Sequence, residues 1–242
     1  MPPPDPAPAI QWLQRHGTRA HRDGLARFAI PTERALGVTM GQIQTLAKQL
    51  GRDHAMAQAL WDSEWLEARM LAAYVDDPGE VTAAQMDRWC RAFDNWAVCD
   101  TVCFALFDRT PHAWRKVTQW ADRTDEYAKR AAFALLWGLT VHDKVSGDEP
   151  FVKGLALIER AAADERLYVK KAVNMALRAT GKRNAALHEA AVATSERLAA
   201  SADATARWVG KDALRELNSA SVLRRVTARP KSPRARASSP KT

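Results

Sequence analysis

The chain is poor in cysteine, has no long apolar run and carries no clear strand signal, and each lack narrows what it can be. Cys90, Cys99 and Cys103 are the only thiols in 242 residues. An odd set without metal-ligand spacing reads as reduced, apolar packing residues in a helical core. Cys99 and Cys103 stand four apart, but no histidine accompanies them in sequence, so no metal is expected. The longest apolar-rich stretch, Ala131–Val141, falls far short of the roughly 20 residues that a bilayer requires, and no membrane association is expected. Met1-Pro-Pro-Pro-Asp-Pro lacks a basic segment followed by an apolar one, so it does not read as a secretory signal, and a cytoplasmic location is expected. No Asn-Gly or Asp-Gly pair lies between alternating apolar runs, so no hairpin is expected. Acids are missing altogether from Val222 onward, where Arg224, Arg225, Arg229, Lys231, Arg234, Arg236 and Lys241 crowd together. Removing those seven from the net charge of +8 leaves the body at +1. Overall charge therefore does not make the body basic, and any anion-binding surface must come from where its cations sit.

What is present is repetition. Leu66–Arg69, Tyr127–Arg130, Tyr168–Lys171 and Trp208–Lys211 each pair a large apolar residue with a cation three positions on, inside an Ala-rich amphipathic stretch. Arg130 to Lys171 is 41 residues and Lys171 to Lys211 is 40. Arg69 to Arg130 is 61, room for one more unit, and Trp96-Ala97-Val98-Cys99-Asp100 fills it with a carboxylate in place of the cation. A period near 40 with helical patterning predicts an all-α solenoid of stacked helix pairs, of the HEAT or armadillo kind. The expected organisation is a Pro-rich arm over 1–8, one repeat domain over 9–220 and a mobile basic tail over 221–242. Thr39–Leu50 reads as a helix. Asp62/Ser63, Thr82, Asp94, Asp125, Asp164 and Asp203 are candidate helix caps, and Gly181 a helix end.

The faces of these helices separate two roles. In Tyr168–Arg183, Val169, Val173, Ala176, Leu177 and Thr180 form the buried stripe. Lys171, Asn174, Met175, Arg178 and Lys182 form a second stripe rich in cations. Arg207, Lys211 and Arg215 repeat this on the last helix, and Arg130 with Trp137 on an earlier one. Like charges aligned on one helix repel, so such a row is either a solvated face or one built to meet phosphates. Equivalent positions of successive repeats line one concave surface, which favours the phosphate reading. Trp96, Trp137 and Met175 would add apolar contact. Trp61, Trp65, Trp89, Trp114 and Trp120 read as packing residues, and His142-Asp143 as a structural helix end.

Asp100 interrupts the basic row within the apolar segment Val98–Phe104, with Trp96 one turn before it on the same face. It could be a helix-start acid or a salt-bridge partner, and Asp94 is expected to fill the cap role. It could instead face substrate. A carboxylate among cations suits cleavage of an N-glycosidic bond, where positive charge builds on the sugar and a water must be oriented. An alkylated purine already carries positive charge, so it leaves without a general acid.

Several segments resemble the AlkD-type DNA alkylation repair proteins. They are Leu66-Glu67-Ala68-Arg69, Phe93-Asp94-Asn95-Trp96 with Cys99-Asp100, Lys129-Arg130-Ala131-Ala132-Phe133 and Val141-His142-Asp143-Lys144, then Val169–Asn174, Ala176-Leu177-Arg178 with Gly181–Asn184, and Ala206–Leu214. The similarity covers roughly 25–220. It implies a HEAT-like solenoid cradling double-stranded DNA with alkylated bases. It also implies a monomeric, cofactor-free, monofunctional glycosylase acting on N3- or N7-alkylpurines near the nucleoid. By resemblance, Trp96 and Asp100 lie against the deoxyribose and Arg130 contacts the backbone beside it, so Asp100, Trp96 and Arg130 form the expected catalytic set. Arg69, Lys171, Met175, Arg178, Lys182, Arg207 and Lys211 are the expected DNA contacts. The family usually has Trp where Met175 stands, which removes a π-face and predicts weakened or retuned chemistry. A DNA-binding module without catalysis, for damaged or branched DNA, and a peptide-binding scaffold remain as alternatives.

Overall fold

Helix after helix, the chain stacks into two rows, and the order of those rows decides which side chains share a surface. A computed structural model describes residues 4–228. Among these, fourteen α-helices and two short 3-10 turns account for all regular structure, with no strand. The helices are α1 Ala7–His16, α2 Arg19–Leu25, α3 Met40–Leu50, α4 His54–Asp62, α5 Leu66–Val75, α6 Ala83–Arg91 and α7 Trp96–Ala105. There follow α8 Ala113–Ala121, α9 Glu126–His142, α10 Glu149–Ala161, α11 Leu167–Thr180, α12 Ala185–Ala199, α13 Ala204–Leu217 and α14 Ala220–Thr227. The 3-10 turns are Ala26–Phe28 and Phe107–Arg109.

One row runs α3, α5, α7, α9, α11, α13, each packed on the next. Behind it α4 backs α5, α8 backs α9, α10 backs α11 and α12 backs α13. This is the expected all-α solenoid, and α7 is the intervening unit between the cations of α5 and α9. The core is continuous because the helices of the two rows bury their apolar faces against their neighbours. Val169, Val173, Ala176, Leu177 and Thr180 are all fully buried, as their spacing predicts. Trp61, Trp89 and Trp120 are buried, Trp61 and Trp89 stacking with centroids 4.1 Å apart. Trp65 and Trp114 pack against the core from its edge. All three cysteines are buried and free.

Several helix ends differ from expectation, for local reasons. The first helix starts at Ala7 rather than Ala9, with Pro8 in its first turn, where a missing N–H costs nothing. Asn95, not Asp94, caps α7: its side chain accepts from the Val98 N–H at 3.0 Å, while Asp94 accepts from the Asn95 amide. Asp62 and Ser63 belong to the end of α4, and α5 begins without a side-chain cap, the Leu66 N–H donating to the Arg34 carbonyl at 2.8 Å. Thr82, Asp125 and Asp203 cap as expected, and Thr39, read as the first residue of its helix, is the cap of α3. Gly181 ends α11 in right-handed geometry (φ −68°). Close packing explains it, since an added Cβ would lie 2.7 Å from Leu217. Past residue 220, where the repeat domain was expected to end, the chain continues as α14 and buries Val222 and Val226. The rest of the basic tail, and the first three residues of the Pro-rich arm, lie outside the described residues.

Asp164, expected as a cap, does not cap α11. Helix α11 starts at Leu167, and Asp164 instead accepts from Arg166 at 2.6 and 2.9 Å and from Lys129 of α9 at 3.1 Å. Hydrogen bonds from Arg166, then from Lys129, hold its carboxyl down at about 2. A depressed carboxyl stabilises the fold only while ionised. Its contribution is therefore complete at neutral pH and disappears as pH falls from about 4 toward 2. Asp164→Asn should lower Tm at neutral pH, and the gap to wild type should close over that acid range in melts recorded across pH.

Candidate nucleic-acid interface

The face of α7, α9, α11 and α13 opposite their backing helices lines one cleft of about 630 Å³. Trp96 and Asp100 come from α7, Arg130 from α9, Tyr168, Lys171, Met175 and Arg178 from α11, and Trp208 and Asp212 from α13. The 3-10 turn at Arg27–Phe28 closes one end. A second hollow of about 280 Å³ adjoins it past Met175 and Arg178, and Trp137, Lys144, Arg183 and Arg225 line that one.

Asp100 sits at the centre of a two-point ion pair. Arg130 donates from Nε to Oδ1 at 2.8 Å and from Nη2 to Oδ2 at 2.6 Å. Its remaining nitrogen, Nη1, donates to the Tyr168 carbonyl at 2.7 Å, so the guanidinium bridges α7 and α11 from α9. The Arg130 side chain is 6% exposed and that of Asp100 16%, so the carboxylate reaches the cleft more than the cation does. Burial raises the Asp100 carboxyl above the usual range, against the pull of the Arg130 charge and its hydrogen bonds. Burial also works against the Arg130 charge, but Asp100 more than offsets this and holds the guanidinium above its usual value. These shifts pull opposite ways on whether the pair is charged. Geometry decides for the ionised pair, because guanidinium does not deprotonate in proteins and two donors need two bare acceptor oxygens.

Trp96 is fixed as firmly. Its Nε1–H donates to the Phe28 carbonyl at 2.9 Å, tying the α7 N-terminus to the turn. The next residue, Ala29, takes a left-handed conformation (φ 53°), which turns the chain out of the 3-10 helix. Phe28 itself is 60% exposed at the rim.

The other expected contacts divide. Lys171 is exposed and Met175 half-buried, both lining the cleft. Asn174, placed in the same stripe by its spacing, is buried and donates to the Val209 carbonyl at 3.2 Å, locking α11 to α13. Arg178 and Lys182 do face this surface, but both bond to Glu216 of α13. Arg207 turns the other way, donating to the Ser201 and Ala202 carbonyls at 2.8 and 2.9 Å. It ties down the loop between α12 and α13 and is not a cleft residue. Lys211 is exposed beside the cleft rather than lining it, and Arg215 pairs with Asp212. Arg69 lies under its own helix start, its guanidinium 5.1 Å from the Trp61 ring centroid, in a separate small hollow with Asp94. Trp137 stacks on Phe104 at 4.3 Å and lines the second hollow. Asp143 accepts from Trp114 Nε1 and from the Val145 and Ser146 N–H groups, a structural helix end as expected.

The spacing argument missed three cleft features. Tyr168 offers Arg130 a carbonyl, a role that no side-chain pattern encodes. Glu216 stands one residue from Arg215 in a stripe scanned for cations, and its sign could have flagged it as their partner. Trp208 appeared only as the apolar member of a repeat unit, yet it is 44% exposed. Among the described residues no group of His, Cys, Asp and Glu could hold a metal ion, and no helix is long and apolar enough to cross a membrane.

A family model described as DNA alkylation repair enzyme matches residues 9–217. No curated protein matches the chain significantly. Among solved structures, one is similar with a TM-score of 0.72 at 20% identity, covering 80% of this chain and 83% of that one. It belongs to "a new family of proteins related to the HEAT-like repeat DNA glycosylases with affinity for branched DNA structures". At that identity the likeness establishes the HEAT-like fold alone.

Proposed function

Since the chain belongs to the DNA alkylation repair enzyme family, we propose that its cleft hydrolyses the N-glycosidic bond of cationic N3- or N7-alkylated purines in duplex DNA. The observation that carries this reading is the Asp100 carboxylate. It lies in a cleft lined by Lys171 and Arg178, one turn from an indole held at a fixed angle. Phosphates on either side of a lesion would meet the cations, each contact adding salt-sensitive, sequence-independent affinity.

The reaction asks little else of the protein. The bond between C1′ and the purine nitrogen breaks, and its electron pair leaves with the base, which departs neutral because it was already cationic. Positive charge develops on the sugar, and Asp100 stabilises it through space. Water then adds to C1′ and its proton passes to solvent, leaving an abasic sugar. Arg130 occupies one lone pair on each Asp100 oxygen. A carboxylate oxygen has a second, so Asp100 can still accept from that water while Arg130 fixes its plane. Arg130 is thus a positioning residue in this reading, and the backbone contact implied for it by resemblance is replaced by the Asp100 and Tyr168 bonds. The protein would act as a monomer, near the DNA.

Mass spectrometry of bases released from methylated duplex DNA tests this directly. Release of 7-methylguanine or 3-methyladenine is expected, and their absence would end the enzyme reading. Met175→Trp supplies a second π-face at the cleft and should raise the release rate several-fold, on the order of the 0.5–2 kcal/mol of a cation–π contact. A rate unchanged or lowered in that variant would mean that Met175 does not stand beside the sugar.

A second reading, a DNA-binding module without catalysis, draws on the engagement of both Asp100 oxygens by Arg130 and on Met175 in the aromatic position. The structural relative's affinity for branched DNA points the same way. It predicts tight, salt-sensitive binding and no abasic product.

A further inference from the structure

We propose that Trp208 is a stacking platform for an unpaired nucleobase, so that the cleft prefers DNA containing an unstacked base over intact duplex. This rests on the reading of the cleft as a DNA groove and is independent of base excision.

The chain has nine tryptophans, and Trp208 is the exposed one, 44% open to solvent where the others are buried or half-buried. Its place is not accidental to the fold. The next residue, Val209, is fully buried and its carbonyl accepts from Asn174 at 3.2 Å. Gly210 follows so close to α12 that a Cβ would meet the Ala199 nitrogen at 2.3 Å and the Ser195 oxygen at 2.5 Å. With α13 clamped on α11 and α12 at this turn, the indole is held at the cleft rather than free to fold away. The Lys170 ammonium stands 5.0 Å from the ring centroid, bracing the ring and adding positive charge to it. Lys171, Met175 and Arg178 share its cleft.

An aromatic ring set among cations in a groove is the arrangement that binds unstacked bases, because every base has a π-face and a charged backbone beside it. A paired base inside a duplex has both faces covered by its neighbours and shows only edges to the grooves. Trp208 can therefore discriminate only in favour of DNA in which a base is already displaced. Its contribution should not depend on salt, since stacking releases no counterions, whereas loss of a phosphate-binding lysine flattens the salt dependence.

Fluorescence anisotropy with two labelled probes, an intact duplex and the same duplex bearing an unpaired thymine bulge, tests the proposal. Wild type should bind the bulged probe about tenfold more tightly, within the range measured for one stacked base. Trp208→Ala should bind both probes with the affinity of the intact duplex, with its salt dependence unchanged, and Trp208→Phe should keep most of the preference. Lys171→Ala should weaken both probes alike and reduce the salt slope by about 0.9. More than half of Trp208 is covered, so Trp208→Ala should lose some Tm yet stay folded, and its unchanged affinity for the intact duplex separates a binding role from a structural one. Equal binding of both probes by wild type, or a preference that survives in Trp208→Ala, overturns the proposal alone. Failure of wild type to bind either probe overturns the DNA reading and this proposal together.

Discussion

Asp100→Asn should lose release of 7-methylguanine from methylated duplex DNA by at least about 10²–10³-fold, the size of effect when one preorganised electrostatic contact is taken from a reacting centre. The amide keeps nearly the shape of the carboxylate and removes its charge, so the developing cation on the sugar has nothing to face. DNA affinity should change little, because Lys171 and the neighbouring cations are untouched. The substitution also replaces one of the two acceptor oxygens by an N–H₂ donor, which sets a donor against an Arg130 N–H, so some loss of Tm is expected. Single-turnover assays at saturating enzyme separate the two effects, since a folded variant that binds but does not cleave has lost only the chemical step. A variant that releases base as fast as wild type would remove Asp100 from the mechanism.

The second large effect is expected at Arg130. Arg130→Ala leaves Asp100 buried without its partner, and breaking a buried ion pair from one side costs about 3–5 kcal/mol. Burial is then the main influence left on Asp100, and it already pushes that carboxyl up. The sign follows. In the variant the folded state holds the Asp100 proton more tightly than the unfolded state does, so stability falls as pH rises through the raised value. The deficit against wild type should be larger in mildly alkaline than in mildly acidic urea melts. Activity moves the opposite way, because only ionised Asp100 can stabilise the sugar: the acid limb of the rate profile should shift to higher pH. Arg130→Lys keeps the charge but loses the two-point geometry and should fall between. A variant with an unchanged pH profile would mean that Arg130 does not set the state of Asp100.

Much of this site was legible because it is written in local periods. Trp96 and Asp100 lie one helical turn apart, so a shared face follows from 3.6 residues per turn and nothing else. The unit between Arg69 and Arg130 was visible as a gap of the right length, and α7 occupies it. The caps were half legible: Thr82, Asp125 and Asp203 act as expected. At α7 the cap fell to the neighbouring Asn95, because the backbone at 95 is the one extended at the helix start. Asp164 reads as a cap by type and position, but Lys129 and Arg166 recruit it from outside the helix.

Arg207, Arg178 and Lys182 mark where that reading stopped. All three sit in the cationic stripe by spacing. Arg207 serves carbonyls of the loop between α12 and α13, and Glu216 binds the other two. The α-helical patterning, the buried stripes and the pairs of a large apolar residue with a cation were settled by sequence alone, since each depends on neighbours within about four residues, and the period near 40 of those pairs carried the repeat. Tertiary structure alone decided which charges stay open to a ligand and which are tied to one another, and that Trp208 stands in solvent. Those outcomes depend on the register between helices 30 or more positions apart, as with Arg130 to Asp100 or Arg178 to Glu216, where a small rotation of one helix changes every partner.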